Sequence, residues 1–215
     1  MARNLEVMKE SVQAGLSPEK SPTCLTGGDA AKLDAYIKNG KTLADSAVLG
    51  AARNAMAVNE SNAKMGLVCA TPTAGSAGCL PAVLTTAIEK LGLTESQQLD
   101  FLFTAGAFGL VIANNASISG AEGGCQAEVG SASAMAAAAI TMAAGGTPFQ
   151  ASQAICFVLK NMLGLICDPV AGLVEVPCVK RNAMGASFAL VAADMALAGI
   201  TSASPVDQVV DAMYQ

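Results

Sequence analysis

The amino-acid sequence predicts an all-α fold, organised as a single compact domain of about nine helices over residues 1–215. Composition is the first indication: 53% of the residues are hydrophobic, 13% are charged and 4% are aromatic. Helix start and stop signals recur along the chain, which is the second indication. No segment shows the alternation of apolar and polar residues that is typical of strands, and this is the third.

The helix boundaries follow from local capping signals. Thr94 and Thr147 each precede a Gln by three residues, which is the pattern of a capping box, and Pro148 suits the first helical position. Ser204 is predicted to begin the last helix. The glycines that follow apolar-periodic runs are predicted C′ residues, namely Gly40, Gly66, Gly92, Gly145 and Gly199. Together these signals predict helices near 3–14, 29–38, 43–65, 79–91, 95–112, 127–144, 148–163, 182–198 and 205–214.

Charge and residue counts exclude several classes of function. The net charge of −5 argues against a nucleic-acid partner, which requires clustered Lys and Arg. Residues 1–13 lack the apolar core of a signal peptide, so a cytoplasmic location is expected. The chain contains no His, and therefore it cannot complete a Ser-His-Asp triad, a Cys-His dyad or a His-bearing zinc site alone. The scarcity of charge also predicts that another subunit covers part of the surface.

Membrane insertion is the main alternative for so apolar a chain. Three long stretches carry no charge, but Pro, Asn, Ser or Gly residues interrupt each of them. None provides about 20 consecutive strongly apolar residues. We therefore expect buried helices and no membrane span.

Four segments between the predicted helices are rich in Gly, Ser, Thr, Asn and Pro but poor in strong charge. Such segments suit the presentation of backbone N–H groups and hydroxyls to a ligand, although each could also be a tight turn. The occurrence of four favours a binding site where they converge. They span residues 21–30, 69–78, 114–125 and 166–182.

Seven cysteines in a chain expected to stay reduced do not predict a disulfide framework. Cys156 lies in an apolar helical stretch and is expected in the core. Cys125, Cys167 and Cys178 instead lie where a predicted helix has ended or not yet begun, so their thiols could face a shared site. Three thiols without His suit an iron–sulfur cluster better than a structural zinc site, which takes four ligands.

Several long segments closely resemble the α subunit of iron–sulfur-dependent L-serine dehydratases, and the similarity covers nearly the whole chain. The resemblance implies that Cys125, Cys167 and Cys178 bind a 4Fe–4S cluster. It also implies a partner β subunit whose Ser-Ser-His-Thr motif is implicated in catalysis, and a family α region that extends beyond both ends of this chain. The segments are 26–33, 70–78, 113–139 and 168–186.

The same resemblance implies a reaction in which an open iron acts as a Lewis acid for loss of the β-hydroxyl of L-serine, giving pyruvate and ammonia without pyridoxal phosphate. It assigns the base to the His of the β subunit, so no catalytic residue is predicted in this chain. Within the chain, Lys180, Glu122 and Glu128 are the groups that could approach the substrate.

The predicted substrate-binding residues are Thr73, Gly75 and Ser76, whose N–H groups and hydroxyls could hold the substrate carboxylate. A simple turn before the helix at 79–91 is the alternative. Ala74 departs from the family pattern, which often has Asn there, so one polar contact is absent. Arg181 could supply positive charge, but it is not part of the predicted site.

Other functions are compatible with the residues. An iron–sulfur L-cysteine desulfidase would use the same open iron for a thiolate leaving group. An electron-transfer or redox-sensing protein would need a fourth cysteine, and Cys24, Cys69 or Cys79 could provide it. A purely structural subunit would bind no cluster.

Overall fold

Nine α-helices form the regular structure of residues 1–214, the part of the chain described by a computed structural model. Within this part no strand occurs, and Val170 and Leu173 form only an isolated bridge. The predicted all-α fold is therefore confirmed. The helices are α1 (Ala2–Gly15), α2 (Asp29–Lys38), α3 (Ser46–Ala63), α4 (Cys79–Leu91), α5 (Glu95–Asn115), α6 (Gly120–Ala143), α7 (Pro148–Met162), α8 (Glu175–Leu197) and α9 (Val206–Tyr214).

The second half of α6 is the centre of the hydrophobic core. Every residue from Val129 to Thr141 is buried, and most of them are small. Helices α4, α5, α7 and α8 pack around it, and small side chains allow their axes to approach closely. At the crossing with α8, the Oγ of Ser133 donates to the backbone oxygen of Gly185 at 2.5 Å. The core thus depends on close helix contacts more than on large side chains.

No helix in the described part of the chain combines the length and apolar character needed to cross a membrane.

The capping predictions are confirmed with two exceptions, at Ser204 and Gly66. Ser204 is predicted to begin the last helix, but α9 begins at Val206, and the N–H of Val209 donates to the oxygen of Pro205. Thr94 and Thr147 both form complete capping boxes, and Gly92 ends α4 in the left-handed conformation. Gly66 was predicted as the C′ residue of α3, but Met65 has this role with a φ of 63°. Gly66 follows it and donates its N–H to the oxygen of Ser61 at 2.9 Å. The glycine is needed for this close approach, because an added Cβ would lie 2.6 Å from the Oγ of Ser61.

Helices α6 and α8 begin seven residues earlier than predicted, so the prediction that Cys125 and Cys178 precede their helices is wrong. Pro177 lies in the first turn of α8, where its missing N–H costs no hydrogen bond. Gly124 interrupts α6 with φ 71° and ψ −169°, which divides it into two helical segments. Cys125 therefore begins the second segment. Cys167 lies in the loop between α7 and α8, as predicted.

Candidate active site

The loop that carries Cys167 is attached to the break in α6 by backbone and side-chain hydrogen bonds. The N–H of Gln126 donates to the oxygen of Leu165 at 2.9 Å. In return, the Oε1 of Gln126 accepts from the N–H of Gly164 at 2.8 Å. The interruption at Gly124 leaves the N–H of Gln126 available for the first bond, and together the two bonds hold the loop beside the start of the long buried segment.

Gly124 makes this attachment possible. A Cβ at this position would lie 2.9 Å from the oxygen of Leu165 and 3.1 Å from the Cα of Ile166. Its positive φ is also unfavourable for any residue with a side chain. Only glycine therefore lets the loop approach the backbone next to Cys125.

Arg181 of α8 holds the same loop from the other side. Its guanidinium forms an ion pair with Asp168 at 2.9 Å and donates to the backbone oxygen of Ile166. It also lies close enough to Cys125 to lower the pKa of that thiol, against the effect of burial. Arg181 thus connects two of the predicted ligand segments, a role that the sequence analysis did not assign to it.

The three thiols and a carboxylate influence one another. Burial raises the pKa of Cys178 to about 12, and the nearby carboxylate of Glu128 and the two other thiols add to this. Burial also raises the pKa of Cys125, Glu128 and Cys167 act in the same direction, and Arg181 opposes the shift. Cys125, Cys167 and Cys178 therefore lie close enough to affect one another's pKa values, and their binding of a cluster stays a prediction. In the absence of a ligand, Cys125 and Cys178 are held in the neutral form at pH 7.

A buried amide links this neighbourhood to the predicted substrate loop. Asn182 is 0% exposed, and its Nδ2 donates to the oxygen of Gly75 at 2.8 Å and to that of Cys178 at 2.9 Å. Its Oδ1 accepts from the N–H of Gly78 at 3.1 Å. No motif in the sequence marks this residue. Its position four residues after Cys178, one helical turn along α8, is the only signal that pointed to it.

The loop at 71–78 presents its backbone to a cavity and directs its hydroxyls inward. Gly75 borders the cavity, whereas the Oγ of the fully buried Ser76 donates to the oxygen of Thr71 at 3.2 Å. The Oγ1 of Thr73 donates to the carboxylate of Glu128. Substrate binding by Thr73, Gly75 and Ser76 stays a prediction. In the structure the two hydroxyls organise the loop and the carboxylate.

The cavity has a volume of about 590 Å³, which is ample for a small amino acid. It brings together two of the cysteines, two carboxylates and the backbone of the 71–78 loop. Its lining contains Glu128 and Glu175 but no Lys or Arg. The lining residues are Asn59, Asn62, Ala63, Met65, Ala74, Gly75, Gly120, Ala121, Glu128, Cys167, Val174, Glu175 and Cys178.

Of the three groups in this chain considered near the substrate, Glu128 is the one that borders this cavity. Glu122 is exposed and accepts from the Oγ of Ser117 at 2.9 Å. The ammonium group of Lys180 pairs with Asp29 at 2.6 Å.

The remaining cysteines differ in exposure. Cys156 is fully buried in α7, which confirms its predicted place in the core. Cys79 is also fully buried, and its thiol donates to Asn182. Cys69 is partly buried and Cys24 is exposed.

The donor set is compatible with the cluster implied by the resemblance. Among residues 1–214, no group of three or more His, Cys, Asp or Glu side chains is placed so that it could hold a metal ion. The site does provide three neighbouring thiols without His, and thiolates are the usual ligands of iron–sulfur clusters. Because Gly124 has no side chain, the loop of Cys167 can also pack against the backbone next to Cys125.

Comparison with known proteins gives the family of this chain. The family model described as serine dehydratase alpha chain matches residues 1–215. The chain belongs to this family. It is 66% identical over 215 residues to the probable L-serine dehydratase alpha chain of Bacillus subtilis (strain 168), covering 100% of this chain and 72% of that protein.

Two further relatives carry similar names. The L-serine dehydratase alpha chain of Peptoniphilus asaccharolyticus is 46% identical over 186 residues, which cover 86% of this chain and 64% of that protein. The L-serine dehydratase of Mycobacterium tuberculosis (strain CDC 1551 / Oshkosh) is 50% identical over 164 residues, which cover 74% of this chain and 36% of that protein. The alpha-chain family predicted from the sequence is thus confirmed.

Replacement of Gly124 by Ala should destabilise the protein more than the same change at Gly164. Both residues have positive φ, but a Cβ at Gly164 meets no atom within 4 Å. We expect Gly164→Ala to cost about 1 kcal/mol of unfolding free energy from backbone strain. Gly124→Ala should cost about 1–3 kcal/mol more, because the loop must move away. Denaturant unfolding measures both values, and equal losses would contradict the proposed close approach.

Replacement of Arg181 by Gln should raise the pKa of Cys125 further. The guanidinium is the group that opposes the upward shift from burial, so its loss leaves the thiolate less stable. The pH at which alkylation of Cys125 reaches half its maximal rate should therefore increase. Lys180→Gln is the control, since Lys180 pairs with Asp29. A lower midpoint in Arg181→Gln would show that loosening of the loop outweighs the lost charge.

Proposed function

We propose that this chain is the α subunit of a cytoplasmic, heteromeric L-serine dehydratase that depends on a 4Fe–4S cluster and forms pyruvate and ammonia without pyridoxal phosphate. The main support is the neighbourhood of Cys125, Cys167 and Cys178 beside a cavity that also contains Glu128. The names of the relatives favour L-serine over L-cysteine as the substrate. The seven free cysteines suit a reducing compartment.

In this proposal the three cysteines hold the cluster. When bound, a cluster with one iron free of protein ligands supplies a Lewis acid that stabilises the departing hydroxide. The protein's own contribution is to fix the ligand segments in advance. Arg181 and Gly124 hold the loop of Cys167 against α6, and Asn182 holds the turn of Cys178 against the 71–78 loop. A site fixed in this way loses little entropy when the substrate binds.

Metal binding by these thiols requires the loss of their protons. Because burial raises the pKa values of Cys125 and Cys178, binding competes with protonation at neutral pH. The positive charge of Arg181 beside Cys125 partly offsets this cost. Binding should therefore strengthen as the pH increases.

The proton-transfer group is proposed to come from the partner subunit. This chain has no His, the side chain best suited to proton transfer near neutral pH. Large apolar side chains are exposed at and near the cavity: Met65 is 85% exposed, Leu67 65%, Ile166 70% and Val174 51%. Exposed apolar surface of this kind marks a site of association. A partner covering these residues would close the cavity and bring its own side chains to the substrate.

Replacement of Cys125, Cys167 or Cys178 by Ala should abolish cluster content and serine dehydration, because each removes one ligand. Iron and sulfide analysis with EPR after anaerobic purification measures the cluster, and circular dichroism checks that helical content is retained. Cys156→Ala is the matched control, since it removes a buried thiol from the core and should retain iron. Unchanged iron content and turnover in Cys125→Ala would refute the ligand assignment.

The isolated chain should be inactive and should gain activity only with a His-bearing β subunit. Pyruvate formation from L-serine is to be assayed with the cluster-loaded chain alone, the β subunit alone and both together. Turnover only in the mixture supports a site at the subunit boundary. Substantial turnover by this chain alone would contradict the proposal, and Glu128 would then be the first residue to examine as the base.

A further inference from the structure

One carboxylate in the cavity is enclosed by backbone from two separate segments. A Cβ at Gly75 would lie 2.6 Å from the Oε1 of Glu128, and a Cβ at Gly120 would lie 2.6 Å from its Oε2. Any side chain at either position would thus displace the carboxylate. The hydroxyl of Thr73 donates to the same group. Glu128 is therefore held in one orientation between the 71–78 loop and the first turn of α6.

This carboxylate has no cationic partner among residues 1–214. The ion pairs within 4.0 Å do not include Glu128, and the cavity lining contains no Lys or Arg. Partial burial of a carboxylate without a counter-charge has an unfavourable desolvation free energy. A cation that enters the cavity offsets part of it. The other carboxylate of the lining, Glu175, already accepts the hydroxyl of Thr23 on both oxygens, at 3.0 and 2.9 Å.

We propose that Glu128 binds the ammonium group of the substrate, and that the cavity therefore selects compounds with an amine and a hydroxyl on adjacent carbons over hydroxy acids without an amine. The identity of the substrate rests on the proposed function. Thr73 is a positioning residue in this arrangement, because it orients the carboxylate.

The position of Glu128 also orients the rest of the substrate. Glu128 lies close enough to Cys125 and Cys178 to affect both thiols electrostatically. An ammonium group held by Glu128 therefore places the neighbouring hydroxyl-bearing carbon near the cysteines. Binding of the amine and loss of the hydroxyl would then take place at adjacent points of one cavity.

Three small ligands test the inference on the full chain without its cluster. L-Serine has an ammonium, a carboxylate and a hydroxyl; 2-aminoethanol lacks the carboxylate, and glycerate lacks the ammonium. Titration calorimetry should show that the wild-type chain binds L-serine and 2-aminoethanol at least about 10-fold more tightly than glycerate. In Glu128→Gln the first two should weaken by about 10- to 100-fold, the range for a charge-assisted hydrogen bond, and glycerate should be unaffected.

Two matched variants serve as controls. Glu122→Gln makes the same chemical change on an exposed carboxylate outside the cavity and should leave all three affinities unchanged. Glu128→Asp keeps the charge and should keep the preference for amines, although with a weaker affinity because the carboxylate is shorter. Circular dichroism verifies that each variant is folded.

Several results would overturn the inference: no binding of any of the three ligands, equal binding of glycerate and L-serine by the wild type, or equal weakening of all three in Glu128→Gln. Unchanged affinities in Glu128→Gln, together with loss of turnover when the cluster-loaded variant is combined with the β subunit, would also overturn it, since they would indicate a base. The same measurements distinguish failure of this inference from failure of the proposed function. A chain that prefers amines but binds no iron contradicts only the cluster, and a chain that binds iron without this preference contradicts only the role of Glu128.

Discussion

The geometry of the cavity depends on one buried amide. Both polar atoms of the Asn182 side chain form hydrogen bonds. Nδ2 donates to the backbone oxygens of Gly75 and Cys178, and Oδ1 accepts from the N–H of Gly78. Removal of the amide would leave buried backbone groups without hydrogen-bond partners in both the 71–78 loop and α8. Such unsatisfied groups lower the free energy of unfolding. The same loop positions Glu128 through the hydroxyl of Thr73. The cysteine-bearing turn of α8 and the carboxylate of α6 are therefore set relative to each other by a short chain of hydrogen bonds.

The parts of the fold that could be predicted from the sequence are those determined by local signals. A capping box such as that of Thr147 is complete within four residues, so its prediction needs no knowledge of the tertiary structure. The early start of α8 has no such local signal: no capping box precedes it, and Pro177 lies in its first turn, where a proline is tolerated. Gly124 lies in a segment predicted as a loop from its composition. The sequence could not show that it interrupts a helix, because the contact that requires glycine comes from a segment some forty residues later.

The residues of the candidate site likewise differ in whether the sequence could predict their roles. The cysteines and the 71–78 loop were identified from residue types and from resemblance, but Arg181 and Asn182 have roles set by distant contacts. The sequence also left Glu122 and Glu128 equivalent. The break in α6 separates them, since one lies before it and the other after it. Only the second borders the cavity with the cysteines, and no periodicity along a continuous helix could have shown this.

The charges of the site explain why thiol deprotonation must accompany binding of a cation. Three thiolates beside Glu128 would place four negative charges in one partly buried region, where like charges repel strongly. Arg181 is the one nearby cation that lowers the pKa of Cys125, and a single positive charge cannot balance four negative ones. Because the raised pKa values of Cys125 and Cys178 keep these two thiols neutral, the chain can remain folded without a metal, while hydrogen bonds that involve no thiolate keep the arrangement of the ligand segments. A cationic centre that enters this region replaces protons and does not have to reorganise the protein. Glu128 forms no ion pair among residues 1–214, and in the proposed arrangement the ammonium group of the substrate provides one.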